Sequence, residues 1–161
     1  MLGSGFYYAS GGYTPTITVG ALSATGKIYG TYNVIGKMMF LKIYLYTGTT
    51  AGAGGTGTYT MPIPSGYTIN QVASGTAPSG NQIVSIGAST ISNAQTIGSS
   101  RMQQTSGAGC YPFAVYAYNS SSICAYTTSY NSAWFWGSGA GSFSLGQANF
   151  FASFECSFPV V

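Results

Sequence analysis

The end of the chain alternates strictly between two classes of residue. Phe150, Phe154 and Phe158 fall on even positions together with an alanine and a cysteine, while serines and Glu155 occupy most of the odd positions. A period of two residues places successive side chains on opposite faces of an extended strand. Nine residues of this pattern predict a half-buried strand over 150–158, which needs other strands to pair with it.

Residues 37–46 show the same period, but here both faces carry apolar side chains. One face holds Met39, Leu41, Ile43 and Leu45, and the other holds Met38, Phe40, Lys42, Tyr44 and Tyr46. A strand that is apolar on both sides lies between a core and something else. We expect its second face to contact either a second layer of the fold or a neighbouring subunit.

Weaker strand signals fill most of the remaining chain. β-Branched and aromatic residues alternate between Gly-rich and Pro-rich breaks, and no window keeps a helical period. These candidate strands cover residues 14–19, 26–33, 57–61, 82–87, 91–97, 111–118 and 122–128. The pattern predicts an all-β fold, an antiparallel and jelly-roll-like β-sandwich, in a single domain over 13–161.

Charge is almost absent from this sequence. The 161 residues include four Lys and Arg, a single acid (Glu155) and no His. This inventory excludes a carboxylate pair, a Ser-His-Asp triad and a His-bearing metal site. A lone nucleophile without a base is a poor catalyst, so we predict no enzyme, no catalytic residue, no metal and no cofactor.

The composition also limits the kinds of partner. A net charge of +3 without a basic cluster is too weak to hold nucleic acid. The longest apolar run, 38–46, is too short for a membrane-spanning helix and contains Lys42. Residues 1–8 have no signal-peptide pattern, so we expect synthesis in the cytoplasm. Fourteen Tyr, nine Phe and two Trp supply enough apolar area for a packed core, which excludes a disordered chain.

Scarce charge has a consequence for the edges of the sheet. Monomeric β proteins protect open edges with charged residues, prolines and bulges. This chain has few such charges, so its edges are covered either by its own loops or, as we expect, by other copies in a permanent oligomer. Residues 1–12, with Phe6, Tyr7 and Tyr8 among glycines, are either a frayed terminus or an arm that contacts a neighbouring copy.

Four further features leave alternatives open. Cys110, Cys124 and Cys156 are widely spaced, which favours reduced, packed thiols over one disulfide with a spare thiol. Tyr130, Trp134 and Trp136 lie close together. They fit either core or interface packing, which burial statistics favour, or stacking on host glycans. Arg101 is expected in a loop, where a solvated surface position is favoured over a role as a hydrogen-bond anchor in an interface. Glu155 is expected on an outward face, either solvated or paired with a Lys or Arg.

Several short motifs occur together in the first half of the chain. They are YTPTIT at residues 13–18, GKIYGTYNVIGKMMF at residues 26–40 and TYTMPIP at residues 58–64. With the terminal strand, they resemble small trimeric β-sandwich domains of viral particles, found as heads of phage tail fibres and as minor structural proteins of large DNA viruses. In that family the segment like 32–37 leads into a long central strand, and a pair like Met61-Pro62 ends a strand. Residues 65–145 match no motif of that family.

The resemblance implies a function that composition alone does not. It implies a non-enzymatic virion protein, a minor capsid or spike component, that forms a homotrimer and contacts other virion proteins. The alternative function that the resemblance implies is that of a receptor- or glycan-binding head of a viral tail fibre or adhesin. Because the sequence starts at Met1 without a preceding shaft, we expect a stand-alone component of the virion rather than a fibre tip.

Overall fold

The alternating segments form strands that pair into one large sheet. The computed structural model describes residues 8–18, 22–54, 58–72, 78–86, 94–104, 110–127, 134–135 and 146–161, with the backbone alone at residues 104, 127, 134 and 135. No helix occurs in these ranges. The described residues form eleven strands: β1 Tyr8–Tyr13, β2 Lys27–Ile35, β3 Met38–Tyr46, β4 Thr60–Pro62, β5 Gln71–Val72, β6 Ile83–Val84, β7 Thr96–Gln104, β8 Cys110–Asn119, β9 Ser122–Thr127, β10 Trp134–Phe135 and β11 Phe150–Pro159.

The main sheet has nine strands, all antiparallel. Its order is β1-β2-β3-β11-β7-β8-β9-β10, and β4 pairs with β9 as well. The terminal strand β11 therefore lies in the middle, between β3 and β7. The short strands β5 and β6 form a separate parallel pair. The predicted all-β, antiparallel fold is confirmed for the main sheet.

The sheet curls so that strands near its two ends meet. An isolated antiparallel bridge joins Thr18, which follows β1, to Thr60 of β4. The Tyr13 hydroxyl donates a hydrogen bond to the carbonyl oxygen of Pro62 at 3.2 Å. Burial, with a smaller contribution from Cys156, raises the pKa of Tyr13 far above its usual range, so this hydroxyl remains a donor. The curled sheet encloses its inner face, which is the arrangement of a β-sandwich.

One hydrophobic core fills the space inside the curl. It takes inward side chains from β2, β3, β4, β7, β8, β9 and β11. Because side chains alternate between the two faces of a strand, every second residue points into the core. Met39, Leu41 and Ile43 in β3, and Phe154 and Phe158 in β11, are at most 1% exposed. Aromatic residues thus provide much of the buried volume, in agreement with the composition.

The hairpin between β2 and β3 sets the register of both strands. Its two turn residues are Gly36 and Lys37, between the paired residues Ile35 and Met38. Gly36 has a φ of 61°, the conformation that a type II′ turn requires at its first central residue. Nine residue pairs follow in register from this turn, so the turn decides which side chains of β2 and β3 share a face.

The strong sequence patterns gave the correct strands and some weak patterns did not. The strands predicted over 37–46, 111–118, 122–128 and 150–158 are confirmed as β3, β8, β9 and β11. The strand predicted over 14–19 is wrong for residues 14–17, where Pro15 has no N–H to donate. Strand β1 lies immediately before it and includes residues 8–12 of the predicted arm, whereas residues 1–7 lie outside the described residues.

The loop prediction for Arg101 is also wrong. Arg101 lies in β7, between β11 and β8. Glycine, serine and glutamine dominate this segment and are weak strand formers, but pairing on both sides stabilises the strand. Its inward residues Ser100 and Met102 are buried.

Two phenylalanines on opposite faces of β11 test this burial. Phe154 is 1% exposed and Phe151 is 44% exposed. Phe154→Ala is expected to lower the free energy of unfolding by about 3–5 kcal/mol, because it leaves a cavity in the core. The matched control, Phe151→Ala, should cost about 1 kcal/mol or less. Urea unfolding measures both, and equal losses would contradict the assignment of faces.

Candidate functional site on the outer sheet face

The outer face of the sheet carries most of the apolar side chains that the fold leaves in solvent. We call outer face the outward residues of β1, β2, β3, β11 and β7. Eight large apolar side chains are exposed among the described residues, and seven of them lie on this face: Tyr8, Tyr29, Ile35, Met38, Phe40, Tyr44 and Phe151. Contiguous exposed apolar side chains of this kind mark interaction sites.

The outer face includes the second apolar side of β3. No second layer of the described chain covers it: Phe40 is 45% exposed and Tyr44 is 39% exposed. Within the described residues, the expected second layer is therefore not found on this face. A neighbouring subunit remains a prediction.

An ion pair lies at the centre of the outer face. Lys42 of β3 and Glu155 of β11 are direct partners in the register, and Lys42 Nζ lies 3.2 Å from Glu155 Oε1. The predicted outward position of Glu155, paired with a lysine, is confirmed. Since Glu155 is the only Asp or Glu of the chain, the side chains of Lys27, Lys37 and Arg101 have no such carboxylate to pair with.

The ion pair divides the outer face into two parts of different chemistry. Towards the β2–β3 turn lies a part that we call the apolar end, with Tyr8, Ile35, Met38 and Phe40. Register places Tyr8 opposite Ile35 and Ile35 opposite Met38, and the Tyr8 hydroxyl donates to Asn33 Oδ1 at 3.3 Å. The apolar end has no charged side chain.

On the other side of the ion pair lies an open groove of about 460 Å³, which we call the aromatic-basic groove. Two stacked pairs of rings line it: Tyr29 with Tyr44, at 5.2 Å between centroids, and Tyr46 with Phe151, at 4.5 Å. Lys27 and Arg101 also line the groove. Both pairs are neighbours in the register, so the sheet itself aligns the rings.

Of the residues predicted as a site from the sequence, only Trp134 and Tyr8 lie in the described part of the chain. Trp134 lies in β10, where its backbone pairs with Thr127. Tyr130, Trp136, Phe6 and Tyr7 lie outside the described residues. Tyr8 belongs to the apolar end, and sequence reasoning did not assign the groove residues Lys27, Tyr29, Tyr44 and Phe151 to a site. For Tyr44, the signal was the second apolar face of 37–46.

The three cysteines are free and lie in different environments. Cys110 is exposed at the rim of the groove, whereas Cys124 and Cys156 are buried. Burial raises the pKa of Cys124 to about 12 and raises the pKa of Cys156 far above its usual range. Both buried thiols are therefore protonated and unreactive in the folded protein.

Other kinds of site are not apparent in the described residues. They contain no cluster of three or more His, Cys, Asp and Glu side chains that could hold a metal ion. They also contain no helix long and apolar enough to cross a membrane. Comparison with protein-family models, curated proteins and solved structures finds no match to this chain.

The central ion pair is expected to add little stability. Its side chains are 54% and 60% exposed, so solvent screens their attraction. A double-mutant cycle with Lys42→Gln and Glu155→Gln should give a coupling of about 0.2–1 kcal/mol in chemical unfolding. Molar salt should abolish most of it. A coupling that persists in molar salt would show that the pair is shielded from solvent.

Thiol labelling tests the positions of the cysteines. A fluorescent maleimide at neutral pH is expected to modify Cys110 and to leave Cys124 and Cys156 unmodified, because their burial excludes both the reagent and the thiolate form. In denaturant all three should react. Mass spectrometry of the intact chain and of its peptides measures the outcome, and rapid labelling of Cys156 in the native protein would contradict the position of β11 in the core.

Proposed function

We propose that this chain is a non-enzymatic structural protein of a viral particle and that it acts by self-association. The observation that carries the proposal is the apolar end, which no other part of the described chain covers. Tyr8 is 64% exposed, Phe40 is 45% exposed, and Ile35 and Met38 are 40% and 37% exposed. Neighbouring apolar side chains in solvent favour association, because association removes their surface from water.

The charge pattern favours a second copy of this chain as the partner. The four side chains of the apolar end carry no charge, and the adjacent Lys42 and Glu155 neutralise each other. Lys37, in the turn that borders this end, is the one unpaired cation next to it among the described residues. Interfaces between permanent subunits are rich in aromatic residues and methionine and poor in charge at their centre. The apolar end has this composition.

The edge of the sheet next to the apolar end supports the same conclusion. Strand β1 is the last strand at one side of the main sheet and pairs only with β2 among the described strands. Its sequence, YASGGY, contains neither a charged residue nor a proline. Since such an edge can pair with another chain, β1 and the apolar end together provide a continuous surface for a neighbouring copy.

The place of this assembly in a virion rests on the resemblance of the sequence motifs. The proposed assembly is a homotrimer in a minor capsid or spike component, which is made in the host cytoplasm and contacts other virion proteins. The charge-poor, aromatic-rich sheet supports a role that depends on shape and association rather than on catalysis. Labelling of intact particles with an antibody against this chain tests the location, and its absence from purified particles would contradict it.

Light scattering coupled to size exclusion tests the self-association. The wild-type protein at low micromolar concentration is expected to elute with three times the 16.6 kDa mass of one chain. Phe40→Lys should shift this species towards the monomer, because it places an unpaired cation in each copy of the apolar interface.

The control for this variant changes charge by the same amount elsewhere. Ser65 is exposed in a turn that is not part of the outer-face strands, and Ser65→Lys should leave the oligomer intact. A wild-type protein that remains monomeric would contradict the proposed function. Equal effects of the two lysine substitutions would show that net charge, rather than the apolar end, controls association.

A further inference from the structure

We propose that the aromatic-basic groove is a binding site for a carboxylated sugar. The groove lies on the opposite side of the Lys42–Glu155 pair from the apolar end, so the proposal does not depend on self-association. Three features carry it: two cations without a carboxylate partner, aromatic rings that are partly exposed to solvent, and a small residue between a ring and a cation.

The chain supplies no acidic side chain to the cations of the groove. Lys27 and Arg101 line the groove, and the only acidic side chain, Glu155, pairs with Lys42. The guanidinium of an arginine matches a carboxylate with two parallel hydrogen bonds, which are stronger than bonds between neutral groups. An anionic ligand therefore complements the charge of the groove, whereas a cation does not.

The aromatic rings provide flat apolar surfaces for a ligand. Tyr29 is 54% exposed, Tyr44 is 39% exposed and Phe151 is 44% exposed. Their stacking partners, Tyr44 for Tyr29 and Tyr46 for Phe151, lie nearly parallel to them, with interplanar angles of 25° and 18°. The C–H face of a pyranose ring packs on such surfaces. Because stacking already orders these rings, little side-chain entropy is lost when a ligand binds.

The register places these groups at distances that suit a sugar ring. Ser153 of β11 lies between Tyr44 of β3 and Arg101 of β7, opposite each of them. Two strand spacings separate Tyr44 from Arg101, about 9–10 Å between backbones. The small serine forms the floor between a ring and a guanidinium. Its hydroxyl, with the side chain of Gln103 next to it in the groove, can bond sugar hydroxyls.

A sugar with a carboxylate fits this site better than a polyanion does. The groove has two unpaired cations, too few for the repeated phosphate contacts that hold nucleic acid. Its volume of about 460 Å³ lies in the range of small-molecule sites. A sugar that places its carboxylate near Arg101 and one face of its ring on Tyr44 contacts both a cation and an aromatic ring of the groove.

The test compares sialyllactose, which carries a carboxylate, with lactose, which does not. Isothermal titration calorimetry with the wild-type protein is expected to show binding of sialyllactose, at least about tenfold stronger than that of lactose. Arg101→Gln should weaken the binding of sialyllactose about tenfold, and Tyr44→Ala should weaken it as well. Lys37→Gln is the matched control, because Lys37 lies in the β2–β3 turn and its loss changes net charge equally.

The exposed thiol of Cys110 gives a second readout at the site itself. Cys110 lines the groove and pairs with Gln103 in the register. Sialyllactose should slow its labelling by a fluorescent maleimide in the wild-type protein, and about tenfold more sialyllactose should be needed for the same protection in Arg101→Gln. Circular dichroism and the unreactive Cys156 check that each variant is folded.

Three outcomes would overturn the proposal. Binding of neither sialyllactose nor oligogalacturonate at millimolar concentration would show that the groove does not take carboxylated sugars. Tighter binding of adenosine monophosphate than of sialyllactose would assign the groove to another ligand class. Equal losses of affinity for sialyllactose in Arg101→Gln and Lys37→Gln would show that the net charge of the protein, rather than the groove, attracts the sugar. The monomeric Phe40→Lys variant should still bind sialyllactose, which separates this test from that of self-association.

Discussion

The antiparallel pairing of β3 with β11 is the constraint on which the rest of the structure depends. Nine residue pairs join these two strands in one register. On the inner side, this register aligns the aliphatic residues of β3 with the phenylalanines of β11 in the core. On the outer side, it places Lys42 against Glu155 and Tyr46 against Phe151. A shift by one residue would exchange the two faces of either strand and destroy the core and the outer face together.

Because charged residues are scarce, a single charged residue has a large effect on the electrostatics of the surface. In most proteins a carboxylate is one of many, but here Glu155 alone decides which cation is neutralised. It is held opposite Lys42, and Lys27 and Arg101 therefore keep their charge available at the groove. The same position makes the border of the apolar end electrically neutral. One ion pair of small energetic value thus separates an uncharged surface from a basic one.

The sequence predicted the fold where the pattern was long and regular. The alternations over 37–46 and 150–158 gave β3 and β11 almost to the residue, because burial of one face selects such patterns strongly. Short or irregular segments predicted the strands less accurately. β7 was missed beyond Ile97, because its Gly, Ser and Gln residues form a strand only when both neighbours are present. β1 was placed several residues too late, because residues 8–12 hold glycines and small side chains that show no clear period.

The sequence by itself determined an all-β chain with almost no ionic chemistry, an outward Glu155 and a β3 strand that is apolar on both sides. These properties follow from residue identity and from a period of two, which are local. Only the tertiary structure decided that β11 inserts between β3 and β7, and therefore that Lys42 meets Glu155 while Arg101 faces Tyr44 across Ser153. Such contacts join residues far apart in the chain, and their geometry depends on strand order and register, which no single segment encodes.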